Sequence, residues 1–301
     1  MSRYFLILSF LLIFGIFYSC EDSKDKQDEK PLVSVSVLPQ KYFVNQIAGD
    51  LFEVNVMVPP GANPVTYEPT PEQMRKISES IAYFRIGPLI FEKAWMPKFK
   101  SLNADLKVYS QSSQVELMEN EKHSHSNKKN EKSISLDPHI WTSPARVKSQ
   151  IKVIRNALVD MDSIHKNTYD LNYNIFRKQV KDLDSLIRKE LSGLNNRKFM
   201  IFHPALTYYA EDYDLEQVSI EFEGKEPAPG RVAELVDLGR SENIKVIFIQ
   251  KQFNKETAQT IAEEINAEII EINPLAYDWI EQMRSVTQKL AASLKNEQKE
   301  G

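Results

Sequence analysis

Two histidines and one carboxylate stand at points where the chain changes from strand-like to loop-like text. His139 lies in LDPHIWTSP, His203 ends KFMIFHP, and Asp278 lies in NPLAYDWIEQM. Imidazole and carboxylate are the donors that bind borderline divalent ions, zinc best and manganese or iron next. A lone histidine is more often a satisfied structural residue than a ligand. Here two occupy matching loop positions in separate halves of the chain, with a carboxylate in a third such position. Structural histidines and a metal site therefore both stand as readings of these residues.

The elements that would position these groups alternate. PLVSVSVLP, FEVNVMV, IAYFRIG and LKVYS have the β-branched, partly alternating texture of strands. QKYFVNQIA, TPEQMRKISES and LIFEKAWMPKF fall between them as helices. From Ser143 the pattern is helical for about fifty residues, with Val147, Ile151, Ile154, Leu158 and Met161 on one face. A single helix of that length would run roughly 75 Å, so a break near HKNTYD is expected. The second piece, about Tyr169 to Leu191, is long enough to cross between lobes. Alternation then restarts: strands KFMIFHP, IKVIFIQ and EIIEI, with helices GRVAELVDLGRSEN, KETAQTIAEEIN and DWIEQMRSVTQKLAASL. The expected fold is α/β, with two lobes, each a mostly parallel sheet flanked by helices, joined by a long linker helix. In such sheets ligands bind beyond the carboxyl ends of strands, where His139, His203 and Asp278 fall.

The expected organisation is a signal peptide over 1–19, a lipidated tether over 20–31, an N-terminal lobe over 32–142, linker helices over 143–195 and a C-terminal lobe over 196–301. MSRYFLILSFLLIFGIFYSC has an early Arg3 and an apolar stretch too short to favour a spanning helix. Cys20 is the one cysteine, follows that stretch directly and precedes the polar EDSKDKQDEK, which resembles a bacterial lipoprotein signal with lipid on Cys20. With no second cysteine to pair, the exported domain has no disulfide and relies on its core. A net charge of −4 and no basic clusters exclude nucleic acid as an expected partner. Neither GxGxxG nor GxxxxGK[ST] occurs, so a phosphate-cradling nucleotide site is unsupported.

Four segments in this order and spacing, VPPGANPVTYEPTP, LDPHIWTSP, FHPALTYYA and NPLAYDWIEQM, resemble the metal-specific (zinc and manganese) solute-binding proteins of ABC transporters, the cluster A-I group. The likeness covers nearly the whole mature chain. It implies two lobes joined by a rigid helix, with one divalent ion in the cleft and delivery to a membrane permease. It implies that His139, His203 and Asp278 are ligands of that ion. The expected protein is a monomer, lipid-anchored in the cell envelope, facing the periplasm or the surface.

The chain departs from the family pattern at Val65, aligned with the position where the family carries its first histidine ligand. The surrounding prolines and glycine are those of a stiff presenting loop, yet valine donates nothing. Candidates for the missing donor are His123 and His125 in the polar stretch 111–135, and Glu223 and Glu226 in EFEGKEPAPGR. That stretch reads equally as a solvated surface loop. Asp137 could orient His139 from behind or simply cap the turn. His165 reads as an exposed polar residue, Glu68 as part of the loop's frame, and Tyr67, Trp141, Tyr208 and Trp279 as packing around the cleft.

Three classes of function follow. The first is a binding protein that captures Zn2+ (Mn2+ or Fe2+ as alternatives) and hands it to an ABC permease. The second is a diverged member with an incomplete site that handles another metal or acts as an adhesin or metal chaperone. The third is a hydrolase using an open coordination position, but no HExxH or comparable motif supplies its general base, and no enzyme activity is expected.

Overall fold

The computed structural model describes residues 30–120, 135–221 and 225–295. The leader, Cys20, His123, His125 and Glu223 lie outside the described residues. The first half runs β1 (Leu32–Val35), α1 (Leu38–Ala48), β2 (Glu53–Val56), α2 (Pro71–Glu79), β3 (Ala82–Arg85), α3 (Ile90–Leu102) and β4 (Lys107–Ser110). Its strands form a parallel sheet of order β2-β1-β3-β4. After α4 (Pro144–Met161) and α5 (Lys166–Glu190), the second half runs β5 (Lys198–Ile201), α6 (Thr207–Asp212), β6 (Glu216–Ser219), α7 (Pro229–Ser241), β7 (Val246–Gln250), α8 (Glu256–Ile265), β8 (Glu268–Ile272) and α9 (Trp279–Lys295). This sheet is also parallel and repeats the pattern as β6-β5-β7-β8. The expected two-lobed α/β fold is the observed one.

Local chemistry accounts for the boundaries. Thr70 caps α2 by accepting from the Gln73 amide, and the Gln73 side chain accepts from the Thr70 amide in return. Asn266 adopts the left-handed conformation that ends α8. The central strand β7 is buried along its whole length, which is why its text is a continuous apolar run. The linker breaks between Met161 and Lys166, a little before the expected place. Asp162 is the reason: its carboxylate accepts from the His165 ring and the Tyr169 hydroxyl, both at 2.6 Å. Of its two helices, α5 has 25 residues, a length of about 37 Å. It packs on α1 in one lobe and α9 in the other. One apolar core is continuous through this junction, from Val33 and Phe43 through Phe176 to Trp279 and Leu290.

Two second-lobe elements escaped sequence reading. Edge strand β6 (EQVS) is mostly part-exposed and carries no apolar alternation, and α6 is a six-residue helix. The described base of the polar stretch is also more ordered than a surface loop: Gln111 is buried, and Glu119 bridges Leu136 in antiparallel fashion. Among the described residues no helix is long and apolar enough to cross a membrane.

Candidate metal site

In both sheets the strand order reverses between the two central strands, and each reversal opens a crevice at the carboxyl ends. In the second lobe this point lies between β5 and β7. His203 sits two residues beyond β5, and Gln250 ends β7. The Gln250 amide locks the turn by donating to the His203 carbonyl at 2.7 Å and accepting from its backbone N–H at 3.2 Å. In the first lobe the point lies between β1 and β3. The loop after β3 is held there by Glu92, fully buried, which accepts from the amides of Ile86 (2.6 Å) and Gly87 (2.8 Å) and from the Ser36 hydroxyl. Burial pushes the Glu92 carboxyl above its ordinary range, and those hydrogen bonds pull against the shift.

His139 arrives from a third direction, just after the Glu119–Leu136 bridge. The Asp137 amide donates to the Met118 carbonyl at 2.9 Å, and Asp137 then turns its carboxylate onto His139. Its Oδ1 accepts from the His139 backbone N–H at 2.7 Å and from ring Nδ1 at 2.9 Å. Burial opposes ionisation of Asp137, but the charge and hydrogen bonds of His139 outweigh it and hold the carboxyl below its usual range. On the facing side, His203 Nδ1 bonds Oε1 of Glu221, which is 1% exposed. His203 stacks on Phe253, ring centroids 5.2 Å apart. Loss of water around the His203 ring lowers its pKa, with Glu221 acting in the opposite sense.

These contacts fix the chemistry of the pair. An ionised carboxylate only accepts, so Asp137 and Glu221 each hold the proton on Nδ1. Both Nε2 lone pairs then face the cleft, and the two Nε2 atoms are 3.2 Å apart. Two neutral acceptors at that distance repel unless a cation lies between them, either a shared proton or a metal ion. Two ligands of a tetrahedral zinc with ordinary bonds to nitrogen would be separated by about 3.3 Å. A carboxylate behind each imidazole is also how metal-binding histidines are oriented.

Hydrogen bonds across the lobes hold this geometry. Trp141 donates to the Pro274 carbonyl at 2.9 Å, and Trp279 donates to the Trp141 carbonyl at 2.7 Å. The Tyr208 hydroxyl donates to the Asp137 carbonyl at 2.9 Å and accepts from the Met118 amide at 3.0 Å. Of the aromatic residues expected to pack here, Trp141 lines the cleft and Tyr208 braces Asp137 directly.

The other candidates fall elsewhere. Val65 does line the cleft, 38% exposed, at the tip of its loop. That loop is braced by Asn63, which accepts from the Val65 amide at 2.9 Å, and by Gln73, which donates to the Met57 carbonyl at 2.7 Å. Asp278 is not brought to the histidine pair. The chain leaves the cleft wall after Leu275, and Asp278 is an exposed residue at the start of α9, where its carboxylate faces the Glu281 amide at 3.5 Å. The positive end of a helix draws a carboxylate in this way. Its charge is also felt by Tyr42, whose pKa is pushed up to about 12, first by burial and then by Asp278. Glu226 is exposed and accepts from the Thr257 hydroxyl at 2.9 Å. Among the described residues no group of three or more His, Cys, Asp or Glu side chains is arranged to hold a metal ion. The group that sequence reasoning missed is Glu221, whose only signal was its place at a strand end after an unrecognised edge strand.

Comparison with known proteins agrees with this architecture. The family model for the periplasmic zinc-uptake complex component A, ZnuA, matches residues 33–293. The chain is 28% identical over 264 residues to the high-affinity zinc uptake system protein ZnuA of Bacillus subtilis (strain 168), covering 85% of this chain and 82% of that one. It is 25% identical over 251 residues to the manganese-binding lipoprotein MntA of Halalkalibacterium halodurans, covering 82% and 79%. A crystal structure of ZnuA superposes with a TM-score of 0.81 at 37% identity, covering 88% of this chain and 99% of that one. With nearly all of the two-lobed body matched, this chain belongs to the ZnuA family of periplasmic zinc-uptake components.

Proposed function

We propose that the protein is an extracytoplasmic solute-binding protein that captures a divalent transition metal between His139 and His203 and delivers it to an ABC permease. The observation that carries this reading is the convergence of two Nε2 lone pairs, each enforced by a carboxylate on the opposite ring nitrogen. The donor type favours zinc. Both facing donors are imidazole nitrogens, which suit zinc, whereas manganese prefers carboxylate and water oxygen. Family membership and the zinc and manganese relatives support capture and transfer over catalysis. The lipoprotein-type leader supports a lipid anchor on Cys20 and a place in the cell envelope, with the domain boundaries as read from the sequence.

Isothermal titration of the metal-free protein tests capture. One equivalent of zinc should bind more tightly than about 10 µM, and manganese more weakly than zinc. If no divalent transition metal reaches that affinity, the reading fails.

A further inference from the structure

The 3.2 Å approach of the two Nε2 atoms depends on two separate stretches of chain. One runs from His139 through Ser143 into α4, and the other from His203 through Leu206 into α6. Among the described residues no backbone hydrogen bond joins these stretches, so side chains must set their register. Two facing lone pairs repel without a cation between them, so in the metal-free protein the stretches need an external hold.

Asp212, the last residue of α6, supplies one. Its carboxylate accepts from the Ser143 hydroxyl at 2.6 Å and from Arg146, through Nε at 2.9 Å and Nη2 at 2.8 Å. This is the one ion pair between the two stretches among the described residues, and it is sheltered, with the Asp212 side chain 13% exposed. Arg146 also lies over the Tyr208 ring, 5.6 Å from its centroid. The hydroxyl of that tyrosine is what holds the Asp137 carbonyl behind His139.

Ser143 marks the contact as specific. It is the N-cap residue of α4, where a serine hydroxyl ordinarily accepts from an amide of the first turn. Here it makes no such bond and donates to Asp212 instead. The first turn of α4 carries no acidic residue, and the carboxylate at its positive end comes from α6. Helix capping has given way to a bond between the two histidine-bearing stretches.

We propose that Asp212 is a positioning residue for metal capture. By holding Ser143 and Arg146 against α6, it keeps His139 opposite His203 before an ion arrives. Without its carboxylate the two imidazoles separate in the metal-free protein, and binding must first bring them together. This deepens the proposed function and rests on it.

The test is competitive zinc titration of the full-length protein, purified metal-free, with urea unfolding of each variant. Asp212→Asn keeps the shape but replaces an ionised acceptor with a neutral amide, and should lose zinc affinity about tenfold. Asp170→Asn is the control: Asp170 pairs with Arg155 in a comparable way but joins the two linker helices, and zinc affinity should stay within about twofold. Because the pair acts as a unit, Arg146→Met combined with Asp212→Asn should lose no more than the larger single loss. Proton NMR gives a readout that lost stability alone does not move. The two rings lie 5.0 Å apart, and the chain has five histidines, so a cross-peak between the rings is resolvable. That cross-peak should be present in the metal-free wild type, absent in metal-free Asp212→Asn and restored by zinc. Should Asp212→Asn fail to fold, Ser143→Ala removes one bond and should lose zinc affinity about fivefold. A folded variant of either kind with zinc affinity within about twofold of wild type would overturn the proposal and leave metal capture standing. Retention of the cross-peak in metal-free Asp212→Asn would overturn it too. A wild type that binds no zinc would overturn both readings.

Discussion

Replacing Glu221 with glutamine isolates the device on which the site depends. The substitution keeps the shape but removes the charge and introduces an N–H2 donor beside His203 Nδ1. With the carboxylate, His203 must keep its proton on Nδ1 and present a lone pair at Nε2. With glutamine, the amide can donate instead, which moves the proton to Nε2 and blocks the cleft-facing position. Even if the glutamine oxygen still accepts, a charge-assisted hydrogen bond becomes a neutral one, at a cost of about 1–1.5 kcal/mol, and more once a bound metal polarises the ring. The expected loss of zinc affinity is therefore about 10–100-fold, or roughly 1.4–2.7 kcal/mol. Glu221 is almost fully buried, so removing its charge relieves a desolvation cost, and metal-free stability should hold or rise slightly. Competitive titration against a fluorescent zinc chelator at pH 7.5, alongside urea unfolding of the metal-free protein, reads both quantities. Zinc affinity unchanged within about twofold in a folded Glu221→Gln protein would refute the tautomer reasoning.

Other outcomes follow from the same geometry. Val65→His places a third imidazole on the cleft wall and should raise affinity for zinc alone by at least about tenfold, read by the same titration. His203, its pKa lowered from 6.5 by burial, should be neutral with its proton on Nδ1 at pH 7. Nitrogen NMR of the ring should show protonation only below pH 6.5, with zinc affinity lost as pH falls through that lower value, since protons then compete for Nε2. Gly87→Ala should destabilise the protein by about 1–3 kcal/mol in urea unfolding. The reason is that Gly87 has φ +131, and an added Cβ would lie 2.1 Å from the Ser112 hydroxyl oxygen.

Much of the scaffold was legible because its signals are local. The buried strands of both sheets write themselves as β-branched runs, and Thr70, Pro71 and Gln73 spell a helix start. His139 and His203 stand out in the sequence because loops after parallel strands face a shared crevice, and the fold brings their rings together. What the sequence leaves unread depends on register between distant segments. Asp278 has the right side chain and a strand-to-helix position, but a few more residues of chain carry it past the cleft to the N-terminus of α9. Glu221 has no local mark. It matters because edge strand β6, four residues with little apolar text, pairs with β5 and sets the following carboxylate beside His203.

The most direct test of the account is anomalous diffraction at the zinc edge from crystals of the zinc-loaded protein. One strong peak is expected between the lobes, about 2.0–2.1 Å from Nε2 of both His139 and His203. A peak that touches neither imidazole, or one held by Asp278 at the start of α9, would contradict it.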